Sequence, residues 1–250
     1  MFGRLSPVVK NLIIINALMW LATMVLPKFA SIDLNAYLGL HYFEASKFNI
    51  SQIITYMFMH SGFEHLFFNM FSLFMFGSLL ENAWGSKRFL TYYILTGIGA
   101  ALAQEITWYF SLRDFSDEVA RIAANGLNGP LYLGNKVVSS APELLKYKDF
   151  ILNRFITVGA SGSVFGLLLA FGMIFPNMRL YIFPLPIPIK AKYFVIFYGL
   201  FELFAGIRSV SGLSSDNVAH FAHLGGLVFG LILILIWRRT TNDNNFNQMY

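Results

Sequence analysis

The chain has 250 residues, of which 56% are hydrophobic and only 12% are charged. A water-soluble domain carries about 25% charged residues, so this composition indicates a protein of the lipid bilayer. The absence of cysteine excludes disulfides, cysteine nucleophiles and thiolate metal sites. The net charge of +5 is modest, and the sequence has no clusters of basic and aromatic residues of the kind that bind nucleic acid.

Apolar runs bounded by charges or turn residues predict six transmembrane helices, since each span needs about 20 apolar residues. Their approximate bounds are residues 11–28, 54–80, 89–110, 158–176, 192–208 and 220–237. The first run follows Arg4 and Lys10 as a secretion signal would, but Pro27–Ala30 makes a poor cleavage site, so a retained helix is favoured. The predicted fold class is therefore all-α, a polytopic bundle of six helices that forms one membrane domain over residues 11–238.

The predicted connections differ in length and character. Residues 29–53 form a long connection, residues 81–88 a short turn, and residues 111–157 a long polar insertion. Three alternating prolines in Phe183–Lys190 predict an extended link, because proline lacks an N–H and disfavours helix at the preceding residue. The Asn-rich tail, residues 239–250, is predicted to be disordered.

Basic residues in short loops and next to spans predict the orientation. With residues 1–10 in the cytoplasm, the inner side carries most of these basic residues: Arg4, Lys10, Lys87, Arg88, Arg179, Lys190, Lys192, Arg238 and Arg239. We therefore expect both termini in the cytoplasm and the 111–157 insertion outside. A separate expectation is that the membrane is a bacterial inner membrane. Ser161 and His223 then both lie at the outer ends of helices, at similar depth.

Ser161, a possible nucleophile, and His223, a possible base, thus lie at the starts of two apolar segments. A serine hydroxyl is a poor nucleophile until an imidazole takes its proton, and polar groups at membrane depth are expensive and usually functional. Each helix also carries small residues at i, i+4 and i+8, which are Gly162, Gly166 and Ala170 beside Ser161 and Ala222, Gly226 and Gly230 beside His223. Such stripes let helices approach closely, although many membrane proteins use them only for packing. Together these features predict contact between Ser161 and His223 and serine peptidase chemistry.

A second polar pair begins the second span. His65 and Asn69 are four residues apart and therefore share one helix face, where their side-chain donors can converge on an oxyanion. The alternative is that both bind loop carbonyls near the interface. His60 lies about 140° away around the helix and is expected to make a structural hydrogen bond.

Other ionisable residues have no diagnostic spacing. Glu105 or Glu202 can orient His223 as an aspartate does in a triad, but a structural hydrogen bond is favoured for both. The serine context lacks the second glycine of G-x-S-x-G, and His60 to Glu64-His65 is one residue too long for H-x-x-E-H. A zinc or haem site built from His60, His65, His220 and His223 is conceivable, but the spacing indicates no metal or cofactor.

Four fragments occur in the order typical of one family. They are His60-x4-His65-x3-Asn69, Glu81-x2-Trp84-Gly85-Ser86, Gly159-Ala160-Ser161-Gly162 and Ala222-His223-Leu224-Gly225-Gly226. With these fragments the chain resembles the rhomboid intramembrane serine proteases over about residues 11–238.

The resemblance implies a Ser161–His223 dyad that requires no acidic third member. It implies that His65, Asn69 and the Ser161 backbone N–H stabilise the oxyanion, and that residues 29–53 form a membrane-embedded loop. The implied partners are the lipid bilayer and transmembrane protein substrates, which enter laterally and are cut near the outer face without a cofactor. The 111–157 insertion is longer than in compact rhomboids.

Two other functions compete with this hypothesis. A catalytically silent member of the same fold would bind membrane helices without cutting them, but loss of Ser161 or His223 would be expected in it. A transporter or channel favours charges and broken helices at the bilayer midplane, whereas the polar cluster here lies near the outer end.

Overall fold

The structure is a computed structural model, which describes residues 5–127, 129–133, 136–181, 187–210 and 218–240. Helices dominate these ranges. They are α1 (Pro7–Ala30), α2 (Leu34–Leu38), α3 (Gln52–Thr55), α4 (Phe63–Ser72), α5 (Ser78–Trp84), α6 (Ser86–Asn125), α7 (Ala141–Leu152), α8 (Ser161–Ile174), α9 (Ala191–Val210) and α10 (His220–Thr240). A 3₁₀ turn at Tyr56–Phe58 follows α3, and a π-helical segment at Leu73–Gly77 joins α4 to α5 in one continuous helix.

The strands of the described ranges are short and pair antiparallel in twos. The pairs are β1 (Leu40–His41) with β4 (Ile156–Thr157), β2 (Leu131–Leu133) with β3 (Lys136–Val138), and β5 (Arg179–Leu180) with β6 (Ile189–Lys190). The predicted all-α, polytopic membrane class is therefore confirmed.

Three helical segments of the described ranges are long and apolar enough to cross a membrane. They are Pro7–Ala30, Phe63–Trp84 and His220–Arg239, which correspond to the first, second and sixth predicted spans. The apolar helix α8 occupies the fourth predicted span but is shorter, and α6 and α9 occupy the third and fifth. The chain is an integral membrane protein, and the count of six spans stays a prediction.

Helix boundaries differ from the predicted ones at two glycines. The second helix begins at Phe63, not at residue 54, because the preceding residues form α3 and a 3₁₀ turn and the chain is extended at Gly62. The turn predicted at residues 81–88 consists of Gly85 alone. This residue has a positive φ of 80° and lies between the end of α5 and the start of α6. A left-handed conformation of this kind favours glycine.

The largest difference concerns the start of the predicted insertion. Helix α6 continues unbroken from Ser86 to Asn125, a length of about 60 Å at 1.5 Å per residue. Beyond the third predicted span, Leu112 and Val119 stay buried on one side of this helix, seven residues or two turns apart. The polar stretch that was predicted from residue 111 therefore begins as an amphipathic helix.

The rest of the insertion folds against that helix. Val119 of α6, Val138 of β3 and Leu144 of α7 form a small apolar cluster. The insertion also binds the first loop, because the Asp149 carboxylate accepts hydrogen bonds from the Ser46 backbone N–H at 2.9 Å and hydroxyl at 2.7 Å. The 111–157 insertion is thus a folded unit tied to the 29–53 connection.

The first loop also reaches the segment that leads into α8. Strand β1 pairs with β4 so that Leu40 lies opposite Thr157, four residues before Ser161. Helix α8 follows, with most of its side chains buried, and α6, α9 and α10 all contact it. The core of the bundle is therefore the element on which Ser161 lies.

Two predicted features fall partly or wholly outside the described residues. Of the predicted proline link Phe183–Lys190, residues 183–186 lie outside them, and Ile189–Lys190 pairs as β6. Of the predicted tail, residues 241–250 lie outside them, and the first two residues, 239 and 240, belong to α10, which continues to Thr240.

One buried carboxylate ties the N-terminus to the second membrane helix. Glu81 accepts hydrogen bonds from the backbone N–H of Val8 at 3.0 Å and of Val9 at 2.9 Å, and from the Ser86 hydroxyl at 2.6 Å. The first N–H groups of a helix have no partner within the helix, so a carboxylate there satisfies them and complements the helix dipole.

We expect the substitution Glu81→Ala to destabilise the protein by at least about 2 kcal/mol, because it leaves buried N–H groups without an acceptor. Thermal unfolding in detergent measures this effect. The matched control is Glu64→Ala, which removes an exposed carboxylate from α4. Equal melting temperatures for the two variants would contradict the anchoring role of Glu81.

Candidate active site

The two residues singled out by sequence lie in direct contact. Ser161 is the first residue of α8, and His223 lies in the first turn of α10. The Ser161 Oγ is 2.8 Å from the His223 Nε2. This is the hydrogen-bond distance over which an imidazole can take a proton from a hydroxyl.

Glycine permits this contact, as the two small-residue stripes predicted. A Cβ atom placed on Gly226 would overlap the carbonyl oxygen of Gly162, so the two backbones touch there. One turn further on, a Cβ on Gly230 would lie 3.4 Å from the Gly166 Cα. The helices α8 and α10 therefore pack stripe on stripe.

The His223 ring is held on its face and on its second nitrogen. Its plane stacks on Phe165 with 4.2 Å between ring centroids and 10° between planes. Its Nδ1 is 3.0 Å from the Glu202 Oε2, and the same oxygen is 2.7 Å from the His220 Nδ1. Of the two roles considered for Glu202, a structural hydrogen bond and the orientation of His223, either fits this contact, which forms because α9 packs on α10 and turns the carboxylate toward both histidines.

Sequence reasoning did not find Phe165. The available signal was its spacing, since Phe165 follows Ser161 by four residues and so lies one turn further along the same face of α8. Glu105 does not contact His223. Its carboxylate accepts a hydrogen bond from the Phe43 backbone N–H at 3.0 Å and so holds the first loop on α6.

Backbone geometry before Ser161 brings His65 to the site. Gly159 has a φ of 127°, and its N–H donates to the Tyr56 carbonyl at 2.9 Å. A Cβ on Gly159 would lie 2.6 Å from the His65 Nε2 and 3.7 Å from the Ser161 Oγ. Only a residue without a side chain fits between the imidazole and the serine, so Gly159 is required for this approach.

The other polar groups of α4 are oriented by their own neighbours. The Ser61 hydroxyl is 3.1 Å from the His65 Nδ1, which leaves the Nε2 on the side of Ser161. Asn69 is buried and donates one amide N–H to the His65 carbonyl at 2.9 Å. An amide carries two N–H donors, so a second remains for another acceptor.

His60 and Ser163 lie close to these residues but have different surroundings. His60 is buried, and its ring packs edge-on against His65 with 5.0 Å between the ring centroids, while the structural hydrogen bond expected of it stays a prediction. Ser163 faces α6 and donates to the Tyr93 carbonyl at 2.8 Å. It points away from His223, as its position on the helix predicted.

One cluster of side chains in the described ranges has its ligand atoms close enough together to hold a cation. The ligand atoms of Glu202, His220 and His223 all lie within 4.8 Å of one another. The 2.7 Å and 3.0 Å nitrogen–oxygen separations are those of direct hydrogen bonds. The other histidines considered for a metal site, His60 and His65, belong to the neighbouring α4 side of the site.

Comparisons with known proteins point to one family. The family model of the Rhomboid domain matches residues 47–240. The chain is 28% identical to Rhomboid protease AarA of Providencia stuartii over 184 residues, which is 72% of this chain and 53% of that protein. It is also 28% identical to Rhomboid protein 1, mitochondrial, of Saccharomyces cerevisiae over 180 residues, which is 72% of this chain and 40% of that protein. The chain therefore spans about half the length of the curated relatives it matches.

The close approach of α8 and α10 gives a direct prediction. We expect Gly226→Ala to cost about 1–3 kcal/mol, because its methyl group has no space beside the Gly162 carbonyl and the helices must separate. The melting temperature and the rate at which a fluorophosphonate labels Ser161 should both fall.

The matched control is Gly199→Ala on α9, whose Cβ would lie 3.5 Å from Leu227 in ordinary contact. Alanine is the better helix former by up to about 1 kcal/mol, so this variant should be as stable as the native protein or more stable. If Gly226→Ala behaves like Gly199→Ala, the two backbones do not touch as described.

Proposed function

We propose that this chain, which belongs to the rhomboid family, is an intramembrane serine endopeptidase that cleaves transmembrane segments with Ser161 and His223. The observation that carries the proposal is the 2.8 Å contact between the Ser161 Oγ and the His223 Nε2 at the buried ends of two packed helices. The name of the relative Rhomboid protease AarA supports peptidase activity.

The chemistry follows from these two groups. The His223 Nε2 takes the hydroxyl proton as the Ser161 Oγ bonds to a substrate carbonyl carbon. The tetrahedral intermediate then expels the amine, which receives the proton from His223, and an acyl-enzyme remains on Ser161. Water then gives a proton to His223 as its oxygen bonds to the ester carbon. His223 passes that proton to the Ser161 Oγ as the ester C–O bond breaks, which releases the acid product and restores the serine.

The negative charge on the intermediate needs donors that are in place beforehand. The His65 Nε2, which lies against Gly159, and the second N–H of the Asn69 amide are the side-chain donors we assign to the oxyanion. The Ser161 backbone N–H is the third, and it lies in the first turn of α8, where N–H groups have no intrahelical acceptor. Preorganised donors of this kind stabilise the transition state strongly.

The length of α8 supports chemistry below the membrane surface. Its 14 residues span about 21 Å, less than the roughly 30 Å thickness of the hydrocarbon core. If its C-terminal end lies at the inner boundary, Ser161 lies several ångströms below the outer one. With both termini cytoplasmic, water reaches the site from the outer face, the side on which the 111–157 insertion lies.

The same environment limits which segments can be cut. A transmembrane helix hides its carbonyl groups in backbone hydrogen bonds, so a scissile bond must first leave the helix. Substrates should therefore be cut where a helix unwinds easily, near glycine, alanine, serine or proline. A silent, helix-binding member of the family would not need a serine hydroxyl held on an imidazole nitrogen, so the geometry favours the catalytic proposal.

We expect Ser161→Ala to abolish cleavage of a transmembrane substrate in proteoliposomes, because the nucleophile is removed. In a soluble serine protease the equivalent loss is on the order of 10⁶ in kcat. The control is Ser163→Ala, whose hydroxyl faces Tyr93, and it should cleave at the native rate per folded molecule. Native turnover by Ser161→Ala would refute the assignment of the nucleophile.

A separate prediction concerns the oxyanion donors. A group that acts only on the oxyanion lowers kcat with little change in KM when it is removed, by up to about 10²–10³ for one donor. We expect Asn69→Ala to lower kcat clearly and His65→Ala to lower it further. Steady-state cleavage and thermal unfolding are measured together. An Asn69→Ala enzyme with native kcat and a lower melting temperature would mean that Asn69 has only a structural role.

A further inference from the structure

Helix α9 carries one carboxylate among apolar side chains. Its outer surface exposes Phe197, Phe201 and Phe204, which are 71%, 52% and 60% exposed, as expected of a helix that faces lipid. Glu202 lies between Phe201 and Leu203 in sequence but points inward and is only 3% exposed. A buried carboxylate at membrane depth is costly unless it is paired, so its partners indicate its role.

Those partners are two histidines on successive turns of α10. The Glu202 Oε2 is 2.7 Å from the His220 Nδ1 and 3.0 Å from the His223 Nδ1. All three side chains are buried. One oxygen atom therefore faces two ring nitrogens, and one of these rings is the base in the proposed reaction.

The contact decides which His223 nitrogen carries the proton. An ionised carboxylate can only accept hydrogen bonds, so the Nδ1 of His223 must be the donor in this contact. In the neutral ring the Nε2 is then unprotonated, and this atom lies 2.8 Å from the Ser161 Oγ. The imidazole is thus held in the tautomer that can take the serine proton.

The carboxylate also faces the charge that the reaction creates. When His223 takes the proton it becomes an imidazolium, and the buried Glu202 carboxylate lies 3.0 Å from its Nδ1. An opposite charge in such surroundings is stabilising, as is the buried aspartate of the soluble serine protease triad. His220 keeps a hydrogen bond on the same oxygen and so holds the carboxylate in place.

We propose that Glu202 is a positioning residue that fixes the tautomer and orientation of His223 and stabilises its imidazolium, which makes the site a Ser161–His223–Glu202 triad. The family resemblance implies a dyad with no required acidic member, and this proposal adds Glu202 to that dyad as a third residue. The inference rests on the proposed function, because it assigns a role within the same reaction.

The same three side chains could instead hold a cation. Zinc binds histidine nitrogen and carboxylate oxygen at about 2.0–2.2 Å, and the metal then lies between the ligand atoms. Here the nitrogens contact the oxygen directly at 2.7 and 3.0 Å, which favours hydrogen bonds. Metal binding is therefore one of the outcomes that the experiment must distinguish.

The experiment compares Glu202→Gln with Glu81→Gln in the full-length chain. Both remove one buried carboxylate and keep its size, but Glu81 binds only the start of α1 and Ser86. We expect Glu202→Gln to lower kcat at least about tenfold with KM within about twofold, since a triad aspartate-to-asparagine change costs about 10⁴. The Glu81→Gln variant should lower the melting temperature and keep native kcat per folded molecule.

A readout that does not depend on turnover follows the ring itself. Nitrogen NMR of labelled histidine should place the His223 proton on Nδ1 in the native protein, and a changed tautomer population is expected in Glu202→Gln. If that variant folds poorly, His220→Ala serves in its place. This variant keeps the Glu202–His223 contact, so its kcat should lie between that of the native protein and that of His223→Ala.

The outcomes separate the two proposals. A native protein that neither cleaves a substrate nor reacts with a fluorophosphonate overturns the proposed function and, with it, the role of Glu202. An active native protein whose Glu202→Gln variant keeps native kcat and the native His223 tautomer overturns the role of Glu202 alone. Loss of native activity on treatment with a chelator, restored by zinc, would also overturn it in favour of a metal site.

Discussion

The contact between the backbones of α8 and α10 is the constraint on which the candidate site depends. Gly226 has no space for a Cβ beside the Gly162 carbonyl, and this direct contact sets the distance between the two helices. Because Ser161 and His223 lie beside the N-terminal ends of the two stripes, that distance also sets the 2.8 Å separation of their side chains. Any larger residue at the contact would move the helices apart and break the hydrogen bond.

Two tyrosine hydroxyls near this contact donate to backbone carbonyls of the protein. The Tyr92 hydroxyl donates to the Gly166 carbonyl at 2.9 Å, and the Tyr56 hydroxyl donates to the Gly97 carbonyl at 2.7 Å. The first bond joins α6 to α8, and the second joins the 3₁₀ turn to α6. Unsatisfied polar groups are expensive in a low-dielectric interior, so such bonds fix the helices in one arrangement. A site assembled in this way needs little reorganisation when charge develops on it.

Much of the site could be predicted from sequence because short motifs and helical periodicity encode it. The small residues at i, i+4 and i+8 predicted the packing of α8 on α10, and the spacing of His65 and Asn69 placed both on one helix face. Glu202 could not be assigned in this way, because its contact with His223 joins two helices and depends on how α9 is rotated. Phe165 is a partial case, because its spacing from Ser161 places it on the same face of α8 but does not show that it stacks on an imidazole from another helix.

The helical start of the insertion was missed for a different reason. Residues 111–125 are polar enough to end a hydrophobic span, yet Leu112 and Val119 keep the spacing of a helix with one buried side. Apolar runs bounded by charges predict transmembrane helices, but they do not reveal an amphipathic continuation of a helix. The docking of Asp149 on Ser46 likewise joins residues 103 positions apart, so only the folded chain brings them together.

The central proposal is that Ser161 is a nucleophile activated by His223 inside the membrane. The most direct test is peptide mass spectrometry of the native protein after reaction with a fluorophosphonate in lipid bilayers. A single adduct on Ser161 that disappears in His223→Ala is the predicted result. An adduct on another serine, or native proteolysis of a transmembrane substrate with no adduct at all, would contradict the claim.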